Sequence, residues 1–144
     1  MTRVFCSTAA VVIALAAIVP AHAGDPTGTW LIPDRTAKVR IVACGEAMCG
    51  SVVWLSKPND AATGKPQTDK LNSDLDKRRR PMLGVPIILG MQRNGEDNKW
   101  WGRIYNPDDG NTYRASLEAV GALRLKVRAC VAIYCQTEIW ARTN

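Results

Sequence analysis

From Leu123 to Ala129 the chain alternates without a break: Leu123, Leu125, Val127 and Ala129 fall on one side, and Arg124, Lys126 and Arg128 on the other. Successive side chains on a strand point to opposite faces, whereas a helix repeats every 3.6 residues, so this stretch reads as a strand with one apolar and one cationic face. The same period returns upstream. Val39, Ile41 and Ala43 oppose Lys38 and Arg40, and Trp100, Gly102 and Ile104 oppose Trp101, Arg103 and Tyr105. Turn chemistry separates these runs. Gly45-Glu46-Ala47-Met48 reads as a four-residue hairpin turn, Asn94-Gly95 is a strong turn signal, and Asn106-Pro107-Asp108-Asp109-Gly110 combines a proline-fixed φ with a glycine for the left-handed position.

Counted between the turns, strands are expected over 28–32, 36–44, 49–55, 87–90, 98–105, 111–117, 122–130 and 136–142. The expected fold class is all-β: a small antiparallel up-and-down β-barrel of about eight strands with one long loop. A barrel of that size is either filled by its own side chains or holds one small ligand. The long loop is 56–80, which contains Pro58, Gly64 and Pro66 and few apolar residues. Asn72 or Ser73 is placed to cap one helical turn through Leu75 to Arg80, and Lys77-Arg78-Arg79-Arg80 sets four cations in a row. Such a run holds an anion or is simply a solvated face.

The first 23 residues stand apart. Arg3 precedes an unbroken apolar run from Ala9 to Val19, Pro20 breaks it, and Ala21-His22-Ala23 is a small-x-small cleavage site. This is the order of a secretory signal peptide, cleaved after Ala23, and the run is too short for a membrane span. Residues 24–144 are then one domain, periplasmic or secreted, with no transmembrane segment. Cys6 lies inside the leader, and no cysteine stands at the junction to carry a lipid. Losing Arg3 takes Lys plus Arg from 19 to 18 against 13 Asp plus Glu, a net charge of +5. A basic exported domain points to anionic envelope components and away from nucleic acid.

Four cysteines remain: Cys44, Cys49, Cys130 and Cys135. An even number in an exported chain reads as disulfides. Cys44 and Cys49 flank the expected turn as opposed residues, a geometry that suits a bridge, although four cysteines allow three pairings. The two C-x4-C spacings also fit a four-thiolate zinc site, which an oxidising compartment disfavours. The only histidine is His22, in the leader. The domain therefore has no Ser-His-Asp or Cys-His machinery and no histidine-ligated metal. No metal and no cofactor are expected.

Several strings occur together in a telling order. Gly28-Thr29-Trp30 opens the domain, and Cys44-Gly45-Glu46-Ala47-Met48-Cys49-Gly50 runs into Val53-Trp54-Leu55. Arg80-Pro81-Met82-Leu83-Gly84-Val85-Pro86-Ile87 follows, then Trp101-Gly102-Arg103-Ile104-Tyr105-Asn106-Pro107-Asp108-Asp109-Gly110-Asn111-Thr112-Tyr113. Leu125-Lys126-Val127-Arg128 and Trp140-Ala141-Arg142 close the chain. Over essentially the whole domain this resembles DUF2147, a family of uncharacterised exported bacterial proteins grouped with lipocalin-like calycin barrels. The resemblance implies that fold but no reaction or substrate. Met82-Leu83 departs from relatives that carry a leucine-cysteine pair there, which supports two self-contained cysteine pairs. Calycin barrels open on Gly-x-Trp, here Gly28 and Trp30, and a late arginine, here Arg142, packs over that ring and closes the barrel base. The resemblance gives Gly28, Trp30, Trp54, Trp140 and Arg142 structural roles.

As ligand-binding candidates the sequence offers Trp101, Arg103, Tyr105 and Asp108, on one strand and its turn, together with Arg80. Aromatic and guanidinium groups on one face bind an anionic or sugar-like ligand by stacking and forked hydrogen bonds, or merely cover the barrel. Asp108 and Asp109 are better explained as turn formers than as an acid–base pair. Glu46, Glu118 and Glu138 lie in separate segments, so no catalytic constellation is visible. The apolar turn Val131 to Tyr134 is costly unless it folds into the barrel mouth, meets a lipid or partner, or is covered by the long loop. Two functions follow. In the first, the barrel binds a small apolar or amphipathic ligand. In the second, the domain is a non-enzymatic envelope module binding an anionic surface or a protein partner through Lys38, Arg40, Arg124, Lys126, Arg128 and the 77–80 run.

Overall fold

The computed structural model describes residues 24–95 and 97–144; the leader expected over 1–23 lies outside them. Eight strands follow one another: β1 Gly28–Leu31, β2 Ala37–Cys44, β3 Ala47–Leu55, β4 Pro86–Arg93, β5 Trp100–Asn106, β6 Asn111–Val120, β7 Arg124–Val131 and β8 Tyr134–Thr143. Each pairs antiparallel with its neighbours in sequence order, and β8 returns to β1 to close a barrel. The alternation read from the sequence is the reason: on β7 Leu125 and Val127 are buried while Arg124, Lys126 and Arg128 are exposed.

Two local expectations are corrected. The β2–β3 turn is two residues long, not four. Gly45 adopts φ 69°, Cys44 pairs with Ala47, and Cys49 lies opposite Val42. A two-residue turn with a positive φ matches the twist of the flanking strands, and it lets Met48 continue β3 into the core. Cys44 and Cys49 are still bonded, diagonally across the hairpin and with Cα atoms 5.8 Å apart. Cys130 and Cys135 form the second disulfide and are directly opposed. In the long loop, Asp74 caps the 3-10 turn Leu75–Arg79 through a hydrogen bond from the Asp76 amide. Asn72, expected to cap, turns inward instead and donates to Asp69 and Tyr105.

The barrel has a sealed end and an open end. At the sealed end Trp30 is fully buried, its indole donates to the Pro26 carbonyl, and the Arg142 guanidinium stands over its ring at 4.2 Å from the centroid. Arg142 also donates to the carbonyls of Thr27 and Ala122. A Cβ on Gly28, whose φ is 131°, would collide with that guanidinium, so only glycine admits the arginine here. Ile41, Ile88, Met91, Leu117 and Leu125 fill the adjacent half of the interior.

The loop from Ser56 to Val85 packs against the barrel wall at β5 and borders the open end. Its anchor is Asp69, fully buried, which accepts from Tyr105 Oη at 2.5 Å, Asn72 Nδ2 at 2.8 Å and Arg80 Nε at 2.9 Å. The Arg80 Nη2 completes an ion pair at 2.8 Å. A buried carboxylate is tolerable only when its lone pairs are taken up in this way.

Candidate functional site

Strand register decides what faces the interior at the open end. Directly paired residues point to the same side, so rows can be followed around the wall. Trp100, Leu117, Val127 and Glu138 form one inward row, and Gly102, Ala115, Ala129 and Gln136 form the next. Ile104 and Tyr113 belong to the row above. Ala129 is too small to reach across the barrel, and space opens in front of it and Gln136, whereas Met91 Sδ fills the opposite side at Gly102. The result is a cavity of about 1120 Å³, whose walls include Val39, Val52, Ile104, Val127, Ala129 and Trp140. That exceeds the roughly 300–1,000 Å³ of ordinary small-ligand sites, because it takes in the open mouth as well as the interior.

Trp140 is its floor, buried from solvent and donating from its indole to Glu138 Oε2 at 2.9 Å. Glu138 is two residues further out on β8, and a strand advances about 3.3 Å per residue, which sets this carboxylate ~13 Å below the strand end at Tyr134. Glu138 is nonetheless exposed, so water reaches deep into the barrel. Part of that access is lateral. β1 stops at Leu31 and pairs with β8 only at Ala141, Arg142 and Thr143. Above that level β8 has no strand on its outer flank, and the cavity is a cleft as well as a cup.

The rim comes from four connections, the β7–β8 hairpin among them. The β1–β2 turn supplies Pro33 and Asp34, the long loop supplies Lys57, Gln67 and Met82, and the β5–β6 turn supplies Asp108 and Asp109. Asp109 holds its turn by accepting from the Asn111 amide, and it also accepts from Tyr113 Oη at 2.5 Å. That hydrogen bond raises the Tyr113 hydroxyl above its ordinary value. The apolar hairpin tip is not covered by the long loop. Val131 and Tyr134 border the mouth, while Ile133 is 86% exposed.

The sequence candidates are split by this geometry. Trp101, Arg103 and Tyr105 share one face of β5, and that face is the outside. Trp101 and Arg103 are exposed there, the indole reaching Asp97. Tyr105 and Arg80 are held in the Asp69 cluster, where Arg80 also lies over the Tyr105 ring at 5.7 Å. Burial, followed by the hydrogen bond to Asp69, pushes the Tyr105 hydroxyl up to about 12. Of the five candidates, Tyr105 and Asp108 border the cavity. Trp54 is outside with Lys38 over its ring at 5.5 Å. Of the cavity residues, sequence reasoning passed over Gln136 and Tyr113 and took Glu138 only as an isolated acid. The signal was present in their register with Trp140: Gln136, Glu138 and Trp140 alternate along β8, so a buried Trp140 places the other two on the same face.

Comparison with known proteins supports the fold. A family model described as an uncharacterized protein conserved in bacteria, DUF2147, matches residues 28–142. Among solved structures, protein HP1028 from the human pathogen Helicobacter pylori, described as belonging to the lipocalin family, superposes with a TM-score of 0.68 at 19% sequence identity. The match covers 83% of this chain and 84% of that one. No curated protein matches the chain.

Proposed function

The chain belongs to the DUF2147 family, and we propose that it is an exported binding protein that takes a small apolar or amphipathic ligand into the open half of its lipocalin-like barrel. The observation that carries this reading is the cavity itself: an interior half sealed by Trp30 and Arg142 and half empty above Trp140, with apolar walls and a polar rim. Tight packing is the rule for protein interiors, and an empty half-barrel open to water is the usual form of a ligand site. Export after Ala23 is part of the proposal, supported by the leader pattern and by the use of all four later cysteines in two disulfides. Binding without turnover fits a domain that lacks histidine and in which the carboxylates of Asp34 and Asp109 hold turns.

The test is native mass spectrometry of residues 24–144 purified from a periplasm, before and after denaturation. Extra mass lost on denaturation is expected. Ala129→Phe, which fills the cavity from β7, should abolish it without unfolding the barrel. A clean apo mass together with no uptake of added amphiphiles would overturn the reading.

A second reading has its own observation. Arg103 and Arg114 stand directly opposite each other on the outside of β5 and β6, and Arg128 lies one row along on β7. Like charges opposed across a ladder are destabilising, and among the described residues none of the three makes an ion pair. This face suits an anionic envelope surface. It does not include Lys38 and Arg40, which sit on β2, three strands away. Binding to anionic vesicles that fades with salt and is lost in Arg114→Gln supports it; salt-independent binding refutes it.

A further inference from the structure

We infer that the ligand of this cavity carries a cationic head, an ammonium or related organic cation, on an apolar body. The inference rests on the cavity being a ligand site and adds the sign of the ligand's charge. The domain as a whole is basic, yet the charged residues bordering the cavity are four carboxylates, Asp34, Asp108, Asp109 and Glu138, against one cation, Lys57. The segregation follows from the strands. The alternation on β7 turns Arg124, Lys126 and Arg128 outward, so this strand gives the interior only Leu125, Val127 and Ala129. Arg142, which faces inward beside Trp30, is committed at the sealed end to that ring and to the carbonyls of Thr27 and Ala122.

A fatty carboxylate or a phosphate entering this cavity would meet like charge at the rim and again on the wall at Glu138, with no guanidinium to pair with. A cation meets the opposite arrangement. Aromatic rings stand beside the carboxylates, with Trp140 under Glu138 and Tyr113 against Asp109. Aromatic faces with carboxylates alongside are a chemistry that holds organic ammonium groups. Apolar walls at Val39, Val52 and Val127 would take the body of the molecule.

The experiment uses three probes with the same ten-carbon tail: decyltrimethylammonium, decanoate and decyl maltoside. Each is titrated below its micelle concentration into residues 24–144 with intact disulfides, and binding is read by calorimetry and tryptophan fluorescence. Decyltrimethylammonium should bind at least ~5-fold more tightly than the neutral probe, with decanoate weakest. Glu138→Gln keeps an oxygen for the Trp140 indole while removing the charge. It should cost the cation about 3- to 10-fold and leave the neutral probe within about 2-fold. Asp108→Asn, at an exposed turn position, provides an independent variant expected to act in the same direction. Decanoate binding as tightly as the cation, or a cation affinity indifferent to both substitutions, overturns the charge assignment while the ligand site stands. If none of the three probes binds, both the charge assignment and the ligand-binding reading fall.

Discussion

Replacing Asp69 by alanine is the sharpest test of how the long loop is held. The wild-type carboxylate is fully buried and gathers three side chains from two parts of the chain: Arg80 and Asn72 of the loop, and Tyr105 of β5. Without it the Tyr105 hydroxyl loses its acceptor and keeps only the hydrogen bond it accepts from Asn72 Nδ2, 2.9 Å long. Stranding a buried polar group costs about 1–3 kcal/mol, and breaking a buried ion pair about 3–5 kcal/mol. Arg80 is 30% exposed and recovers water, which removes part of the second cost. The expected loss is about 3 kcal/mol, or a fall in Tm on the order of 10 °C for a domain of this size. Asp69→Asn should be little better: with its oxygen turned to Arg80 and Asn72, its NH2 faces the Tyr105 hydroxyl, whose proton loses its acceptor, and the charge that paired Arg80 is gone. Urea unfolding gives the magnitude, and hydrogen exchange gives the location. Protection should be lost across 57–85 and retained on β6 and β7. Lys70→Ala is the control: Lys70 is 72% exposed and 3.9 Å from Asp60, so it should change stability by less than about 0.5 kcal/mol. An Asp69→Ala protein within about 1 kcal/mol of wild type would refute the idea that this carboxylate pins the loop.

The raised Tyr105 hydroxyl predicts a pH dependence. The unfolded chain sheds this proton near its ordinary value of about 10, whereas the native protein holds it to about 12. The stabilisation is therefore complete below about pH 10 and is lost as pH rises to about 12, so the stability difference between wild type and Tyr105→Phe should shrink over that window; a difference that stays constant there contradicts it. Gly28→Ala should destabilise by about 2 kcal/mol or more, since the methyl group meets the Arg142 guanidinium and the backbone is left-handed; calorimetry showing an unchanged Tm would remove Arg142 from its place over Trp30. Each disulfide closes a short loop, with a sequence separation of 5, so serine replacement of either pair should cost about 2 kcal/mol by chain entropy, measured by urea unfolding. Losses well above that value would mean that the bridges hold native geometry that the hairpins cannot reach alone.

Much of the fold was legible because its determinants are local. Two-residue alternation marks β2, β5 and β7, and Asn106 to Gly110 turns the chain with the chemistry its residues advertise: Asn106 accepts from the Asp108 amide, and Gly110 takes φ 73°. The β2–β3 turn was misread because Ala47 and Met48 suit a turn or a strand equally by composition. What decides between them is the room for Met48 in the core, which is a property of the other strands. The Asp69 cluster was invisible for the same reason: Asp69 and Tyr105 are 36 residues apart, and only the closed barrel brings them together.

The cavity sits at the limit of what pattern can show. A packed interior demands large apolar residues on every inward row, and above Trp140 the residues Gln136 and Glu138 break that demand on β8 while Ala115 and Ala129 break it on β6 and β7. Read as a strand pattern, 134–139 is simply weak, and every residue in it is exposed. Placed by register, the weakness becomes specific. A carboxylate one row above a buried tryptophan is tolerable only if water or a ligand occupies the space in front of it, because an unpaired charge cannot be sealed into a barrel. Glu138→Leu puts an apolar side chain into that space and should obstruct the ligand, while the buried Trp140 indole loses its acceptor at a cost of about 1–3 kcal/mol, so Tm should fall modestly as binding is lost. If that variant folds and still binds as tightly as wild type, the ligand does not enter past Glu138, and the cavity above Trp140 is not the site.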